Sequence, residues 1–259
     1  ASVARVAGAV EAGLDSPDQV IVVGIKGAEV ARQLGAKPGR LFAYQENPVL
    51  GLPAGTGDAV RVALGAFAPA QAPRSIYIFL GDMGLLTREG VAQFRREFEA
   101  NPCDMMVLTG LYRGPVEQNY YGRILRVPAA DQEGRSAGAD QGKVIEIKEH
   151  KDLLGLPAGR PYQVVYQGRT YRFTREELLE IREINTGVVA FREEPLRAQI
   201  GQLQTDNVQG ELMLTDMVQI LNQRGLVVRA VLAASEEEIL AFNVKSVWRQ
   251  METIARRWA

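Results

Sequence analysis

Asp82 closes the run Ser75-Ile76-Tyr77-Ile78-Phe79-Leu80-Gly81-Asp82, where an apolar strand would stop and deliver a carboxylate to the edge of a sheet. In open α/β sheets the carboxyl ends of the strands face a crevice, and a carboxylate there commonly holds a divalent cation against a substrate phosphate. A strand-end Asp can equally do no more than cap the next turn. Gly55-Thr56-Gly57-Asp58-Ala59 stands just before a helical pattern. Its backbone amides and the helix N-terminus would admit a base or a phosphate closely, although a flexible turn with Thr56 as N-cap is the plainer reading of the spacing. Glu149-His150-Lys151-Asp152 sets a carboxylate and a cation where a sugar phosphate could meet them, or is a solvated charge run. Asn185, within Glu183-Ile184-Asn185-Thr186-Gly187, is an amide for sugar hydroxyls or for its own turn. Asn207-Val208-Gln209-Gly210-Glu211 and Asn243 read as groups near the same chemistry or as helix caps. Met105 and Met106 read as core.

Helix and strand patterns alternate through the first hundred residues and would position these groups. The spacing predicts helices up to Leu14, at Ala28 to Leu34, Thr56 to Phe67 and Arg88 to Glu99, with strands at Gln19 to Ile25, Leu41 to Gln45 and Ser75 to Gly81. Val/Ile runs separated by amphipathic helices predict an α/β fold with a mostly parallel central sheet covered on both faces. Further strands are predicted at Met105 to Tyr112, Tyr121 to Val127, Val144 to Lys148, Glu183 to Phe191 and Val227 to Leu232, with helices at Leu196 to Leu203 and Leu212 to Asn222. The stretch from Ala129 to Gly142 reads as a surface loop. Gln163 to Phe173 reads as a hairpin turning at Gln167-Gly168, and Thr174 with Glu177 as a capping box for a helix to Ile181. The domain is expected to occupy residues 1–242. The stripe from Val244 to Trp258 is expected to form an amphipathic helix packed on the domain or on a neighbouring subunit, which leaves a homo-oligomer open.

The chain has 259 residues, 46% of them apolar and 24% charged, with a formal net charge of −1. That is enough for one large core. The balance argues against a broad nucleic-acid surface, and no run reaches the roughly 18 apolar residues of a membrane helix. One Cys (Cys103) and one His (His150) exclude a disulfide framework and a zinc site built from those ligands, and fit a reducing, cytoplasmic setting.

In this order, Gly55-Thr56-Gly57-Asp58-Ala59, Leu80-Gly81-Asp82, Tyr121-Gly122-Arg123-Ile124, Glu149-His150-Lys151-Asp152, Glu183-Ile184-Asn185-Thr186-Gly187, Asn207-Val208-Gln209-Gly210-Glu211, Leu214-Thr215-Asp216 and Asn243 resemble the sugar-1-phosphate nucleotidyltransferases. The resemblance is greatest to the bacterial uridylyltransferase domain acting on N-acetylglucosamine 1-phosphate. It implies a Rossmann-like nucleotidyltransferase fold and an Mg²⁺-dependent exchange between UTP and a sugar 1-phosphate. By position in the motifs, it implies that Asp82 and Asn243 hold the Mg²⁺. Gln45, Gly55 and Thr56 would contact the uracil end, and Gly122, Glu149, Asn185 and Thr215 would surround the sugar and its phosphate.

The departures are as specific as the matches. The family's signature loop, Leu-Ala-Ala-Gly-x-Gly-Thr-Arg-Met followed by Pro-Lys, and the strand before it are expected ahead of the first helix and are not in this sequence, so activity of these residues alone is expected to be very low. Leu80 and Met213 stand where tyrosines usually flank the sugar, and the excursion at Leu153 to Ile181 is longer than in that enzyme. Glucose 1-phosphate or another hexose phosphate is therefore an alternative substrate. A non-catalytic sugar-nucleotide-binding relative is an alternative function, and an assembly module using the Trp248/Trp258 helix is a third.

Overall fold

The computed structural model describes residues 2–157, 159–235, 237–238 and 253–254. Helix α1 (Ser2–Leu14) leads into β1 (Gln19–Val23), α2 (Gly27–Leu34), β2 (Arg40–Tyr44), the single turn α3 (Asn47–Leu50), α4 (Thr56–Gly65), β3 (Ser75–Ile78) and α5 (Arg88–Ala100). Then come β4 (Met105–Leu111), β5 (Arg123–Arg126), β6 (Val144–Lys148), α6 (His150–Leu154), β7 (Tyr162–Tyr166), β8 (Arg169–Phe173), α7 (Arg175–Glu180), β9 (Glu183–Arg192), α8 (Glu193–Gln199), α9 (Met217–Gln223) and β10 (Val228–Leu232). The elements predicted within residues 2–235 are present with ends shifted by a few residues. α3 and α6 were not predicted, because a single turn is too short to show a helical period.

The main sheet runs β10-β4-β9-β5-β6, with β3 also on β9. β9 is the organising strand: β4 lines one of its edges, and the other is shared by β3, against Val189 to Arg192, and β5, at Ile184. Tracing the pairings, β3, β4, β5 and β10 point one way while β9 and β6 oppose them. The expectation of a mostly parallel sheet needs correction at the level of neighbours, since among the described residues β10–β4 is the sheet's one parallel pair. Strand direction leaves no mark on side-chain patterning, which reports burial alone.

One face of the sheet packs Ile76, Ile78, Met105, Val107 and Phe191 against α4, α8 and α9 through Val60, Leu64, Leu196 and Met217. The other packs Tyr77, Met106, Leu108 and Ala190 against Val6 of α1 and Phe94 and Phe98 of α5. Met105 and Met106 are buried, as expected of core residues. β1 and β2 form a separate parallel pair. They are joined to the rest through α1, whose Ala7 carbonyl accepts from Gln19 Nε2 at 2.7 Å, and through α4. β1 pairs with β2 alone and β3 with β9 alone among the described residues.

The excursion builds its own small core on the outer face of β5 and β6, from Leu125, Val127, Ile145, Leu153, Val164, Tyr171 and Leu178. Gln167 (φ 47°) and Gly168 (φ 73°) make the tight turn that joins β7 to β8. The predicted capping box closes the N-terminus of α7: Glu177 N donates to Thr174 Oγ1 and Thr174 N to Glu177 Oε2.

A buried carboxylate fastens the start of α8. Glu193, 4% exposed, accepts from Arg74 at 2.8 and 2.7 Å and from Arg197 Nε at 2.7 Å. Arg74 is the first cause of a Glu193 pKa lowered to about 2. Because the folded value is depressed, this contribution is complete above the ordinary carboxylate range and is lost as pH falls through 4.5 towards about 2. Glu193→Gln is expected to cost about 2 kcal/mol at pH 7, since it strands two guanidinium groups, and to flatten the acid limb of stability in that window. Urea denaturation across pH checks both.

Candidate functional site

The ends of β4 and β6 and the starts of β5 and β9 meet at one edge of the sheet, with β3 ending farther along β9, and Gly122, Glu149 and Asn185 lie there. The link between β3 and β9 is steric. At Gly187 (φ 79°) β9 bends opposite a register shift in β4, and a Cβ at that position would overlap Leu80. Thr186 Oγ1 secures the bend on the Leu108 carbonyl at 2.6 Å. Leu80 thus seats against Gly187, and the chain turns beyond it at Asp82.

Asp82 Oδ1 is buried with no hydrogen-bond partner among the described residues. Its main-chain oxygen, not its carboxylate, takes the Gly84 amide of the turn at 2.9 Å. Burial raises the Asp82 pKa, and its own backbone amide acts the other way. Tyr121 lies near enough for the Asp82 charge to raise its phenol, after burial and Tyr112. A desolvated carboxylate oxygen without a partner is a hard donor suited to Mg²⁺. No group of three or more His, Cys, Asp or Glu suited to a metal occurs among the described residues. Asn243, the expected second ligand, lies outside them, as does the predicted helix at 244–258 apart from Thr253 and Ile254.

The Gly55-Thr56-Gly57 block opens α4, but Thr56 is not its N-cap. Gly55 holds that place at φ 102° and ψ −177°, a backbone geometry suited to glycine. A Cβ on Gly55 would fall 2.7 Å from the Leu212 carbonyl oxygen. That close approach lets two loops zip together: Leu212 N donates to Ala54 O (2.7 Å), Gly57 N to Leu212 O (2.8 Å) and Leu214 N to Thr56 Oγ1 (3.1 Å). Gln45 reaches the block through its amide, which donates to Gly55 O at 3.1 Å and to the buried Asp58 at 2.8 Å. Gln45 therefore braces the loop with its NH₂ group.

Gly122, Glu149, Asn185 and Thr215 come together. The Asn185 amide donates to Gly122 O at 2.9 Å, and a Cβ on Gly122 would lie 3.1 Å from both Glu149 carboxylate oxygens. Thr215 sits close enough to Glu149 to lower its pKa, while burial, Asp152 and Asp216 raise it, burial most. The Thr215 hydroxyl itself completes no full hydrogen bond among the described residues. Asn185 Oδ1 accepts from Gly187 N at 3.0 Å, which keeps its turn reading true without excluding contact through its NH₂. Asn207 closes its own loop by bonds with Gln209 and Glu211, and that loop is tied to α6 by Val208 N to Asp152 Oδ1 at 2.9 Å. Thus the stretch read as a charge run is a helix clamped beside the site.

The fold also gives parts to residues of these blocks to which the sequence assigned no role. Arg123, fully buried, donates to the carbonyls of Asn119 and Tyr121, which shapes the loop that presents Gly122. Burial, then Arg123, lowers the His150 pKa. Burial, partly countered by Lys148, raises Asp216 to about 6. No spacing signal marked these positions, because they meet across β5, β6 and the start of α9.

No family model matches the chain. It is 33% identical over 238 residues to the bifunctional protein GlmU of Paraburkholderia phytofirmans, a match covering 92% of this chain and 42% of that protein. To the bifunctional protein GlmU of Clostridium tetani it is 29% identical over 240 residues, 93% of this chain and 43% of that protein. The chain thus spans less than half the length of the curated relatives it matches. Among solved structures, a nucleoside-diphosphate-sugar pyrophosphorylase from Vibrio cholerae superposes with a TM-score of 0.55 at 16% identity, over 95% of this chain and 83% of that one. A Bacillus anthracis protein named as a glucose-1-phosphate thymidylyltransferase gives 0.59 at 15% identity, over 96% and 80%. These structures share the Rossmann-like nucleotidyltransferase fold.

Proposed function

The chain belongs to the sugar-1-phosphate nucleotidyltransferases, and from that membership we propose that it transfers a nucleotidyl group to a sugar 1-phosphate, UMP from UTP to N-acetylglucosamine 1-phosphate in the first instance. The observation that carries the reading is the convergence on one sheet edge of an unpartnered Asp82 oxygen, the glycine-led start of α4, and the set Gly122, Glu149, Asn185 and Thr215. An oxygen of the sugar phosphate would attack the α-phosphorus, forming the new P–O bond as pyrophosphate leaves. A phosphate oxygen is already anionic, so the protein's work is alignment and charge compensation.

Mg²⁺, held by Asp82 with Asn243, would neutralise charge on the reacting phosphates. The Gly55–Thr56 turn lets a base approach the backbone, with Gln45 bracing it from behind. Glu149, the Asn185 NH₂ and Thr215 offer acceptors and donors to sugar hydroxyls and to an acylamino group. His150, neutral at pH 7, adds no second charge beside them. No helix among the described residues is long and apolar enough to cross a membrane. Met213, buried where the family usually places a tyrosine by the sugar, keeps glucose 1-phosphate in view as the alternative substrate.

The test is pyrophosphate release by the whole polypeptide its gene encodes, with Mg²⁺, each nucleoside triphosphate in turn and a panel of hexose 1-phosphates. Release with UTP and N-acetylglucosamine 1-phosphate is the expected result. Release with another pair corrects the substrates. Binding of a sugar nucleotide without release from any pair would replace the enzyme with a non-catalytic sensor.

A further inference from the structure

The excursion reaches the strand that delivers Glu149 through Tyr162. Tyr162, the first residue of β7, donates its hydroxyl to Glu146 Oε1 at 2.6 Å and accepts from Lys148 Nζ at 3.2 Å. The Lys148 ammonium also lies 4.7 Å from the centre of the Tyr162 ring and 3.5 Å from Glu146. Lys148 immediately precedes Glu149 on the strand that delivers it. Its flank is crowded with acids: Glu146 is buried with Oε2 unpartnered among the described residues, and Glu149, Asp152 and Asp216 stand beyond it.

We propose that Tyr162 is a positioning residue for the sugar site, holding Lys148 against the Glu146 carboxylate so that the Glu149 wall keeps its shape and charge. The proposal rests on the functional reading above and gives the excursion a role as a fixed wall of the sugar pocket. A lid is a poor description of it, because its apolar side chains are packed into the outer face of β5 and β6. The charged and titratable groups around this cluster are Glu146 and Lys148 on β6, Arg123 on β5 in register with Lys148, Glu149 and Asp152 at the start of α6, Tyr162 on β7, and Asp216 ahead of α9. Lys148 is the cation that offsets both Glu146 and Asp216. A wall with this surplus of acid suits neutral hydroxyl and acylamino sugars and repels sugars that carry a second acid.

Tyr162→Phe keeps the ring and removes only the relay hydroxyl. It is expected to raise KM for the sugar 1-phosphate about fivefold while kcat and KM for the nucleoside triphosphate stay within about twofold. After correction for the second ionisation of the sugar phosphate, which also lies at about 6, a midpoint is expected at about 6 in the pH dependence of sugar-phosphate KM from Asp216, raised by burial, and it is expected to move upward in Tyr162→Phe and in Lys148→Met. Lys148→Arg, which restores a cation, is expected to return it. Unchanged sugar KM in a Tyr162→Phe protein as active as the wild type, or an equal rise in both KM values, would overturn the proposal and leave the functional reading intact. A wild-type protein that turns over no sugar phosphate would instead sink that reading and this one with it.

Discussion

Asp82→Ala is expected to lower Mg²⁺-dependent turnover about a thousandfold while leaving the protein folded. Among the described residues, one oxygen of the Asp82 carboxylate is buried and unpartnered, and burial already raises its pKa. Losing it removes charge compensation at the reacting phosphates, and a factor of about 10³ corresponds to about 4 kcal/mol of transition-state stabilisation. Stability should move in the opposite direction. With no cation bound, an ionised carboxylate in this position costs desolvation energy that its own backbone amide returns only in part. The metal-free variant should therefore melt no lower than the metal-free wild type, and Mg²⁺ should raise the melting temperature of the wild type alone. Turnover within tenfold of wild type would remove Asp82 from the site, whereas a strongly lowered melting temperature would make its role structural.

Gly55→Ala is expected to cost about 3 kcal/mol of stability and to raise KM for the nucleoside triphosphate. Two penalties combine at this residue: a φ of 102° that L-residues rarely adopt, and a Cβ 2.7 Å from a main-chain oxygen that cannot swing away. Relief would have to come from parting the 54–57 and 212–214 loops, which breaks the bonds through Leu212 and Thr56 and moves Thr215 away from Glu149. For a chain of this size the loss translates to roughly 6 °C in Tm. Gly201→Ala is the control: its Cβ would meet nothing within 4 Å, and a change within about 0.5 kcal/mol is expected. Equal effects at the two positions would show that the Gly55 turn is not under the constraint described.

Much of the chemistry was legible because it is local. A strand that ends in a carboxylate, a glycine-led helix start and a hairpin with its Gln167-Gly168 turn each place a few residues under the control of backbone rules that act over a few positions. The serial order of the blocks then gave the family. Thr56 was misread as a cap because its spacing fits one; its hydroxyl is instead taken by Leu214, 158 positions away, a partner that no local rule can see.

Thus the amino-acid sequence by itself determined the α/β class, the positions of most helices and strands, and the family with its candidate residues, since burial periodicity and backbone preference are written into neighbouring side chains. Tertiary structure alone decided that β9 runs antiparallel between β4 and the β3/β5 edge, that Gly187 admits Leu80 and so sets Asp82 near Tyr121, and that Lys148, Tyr162 and Asp216 gather beside Glu149. Those facts depend on contacts between residues tens of positions apart, where chain topology and steric fit govern which groups meet and how far burial shifts their charge.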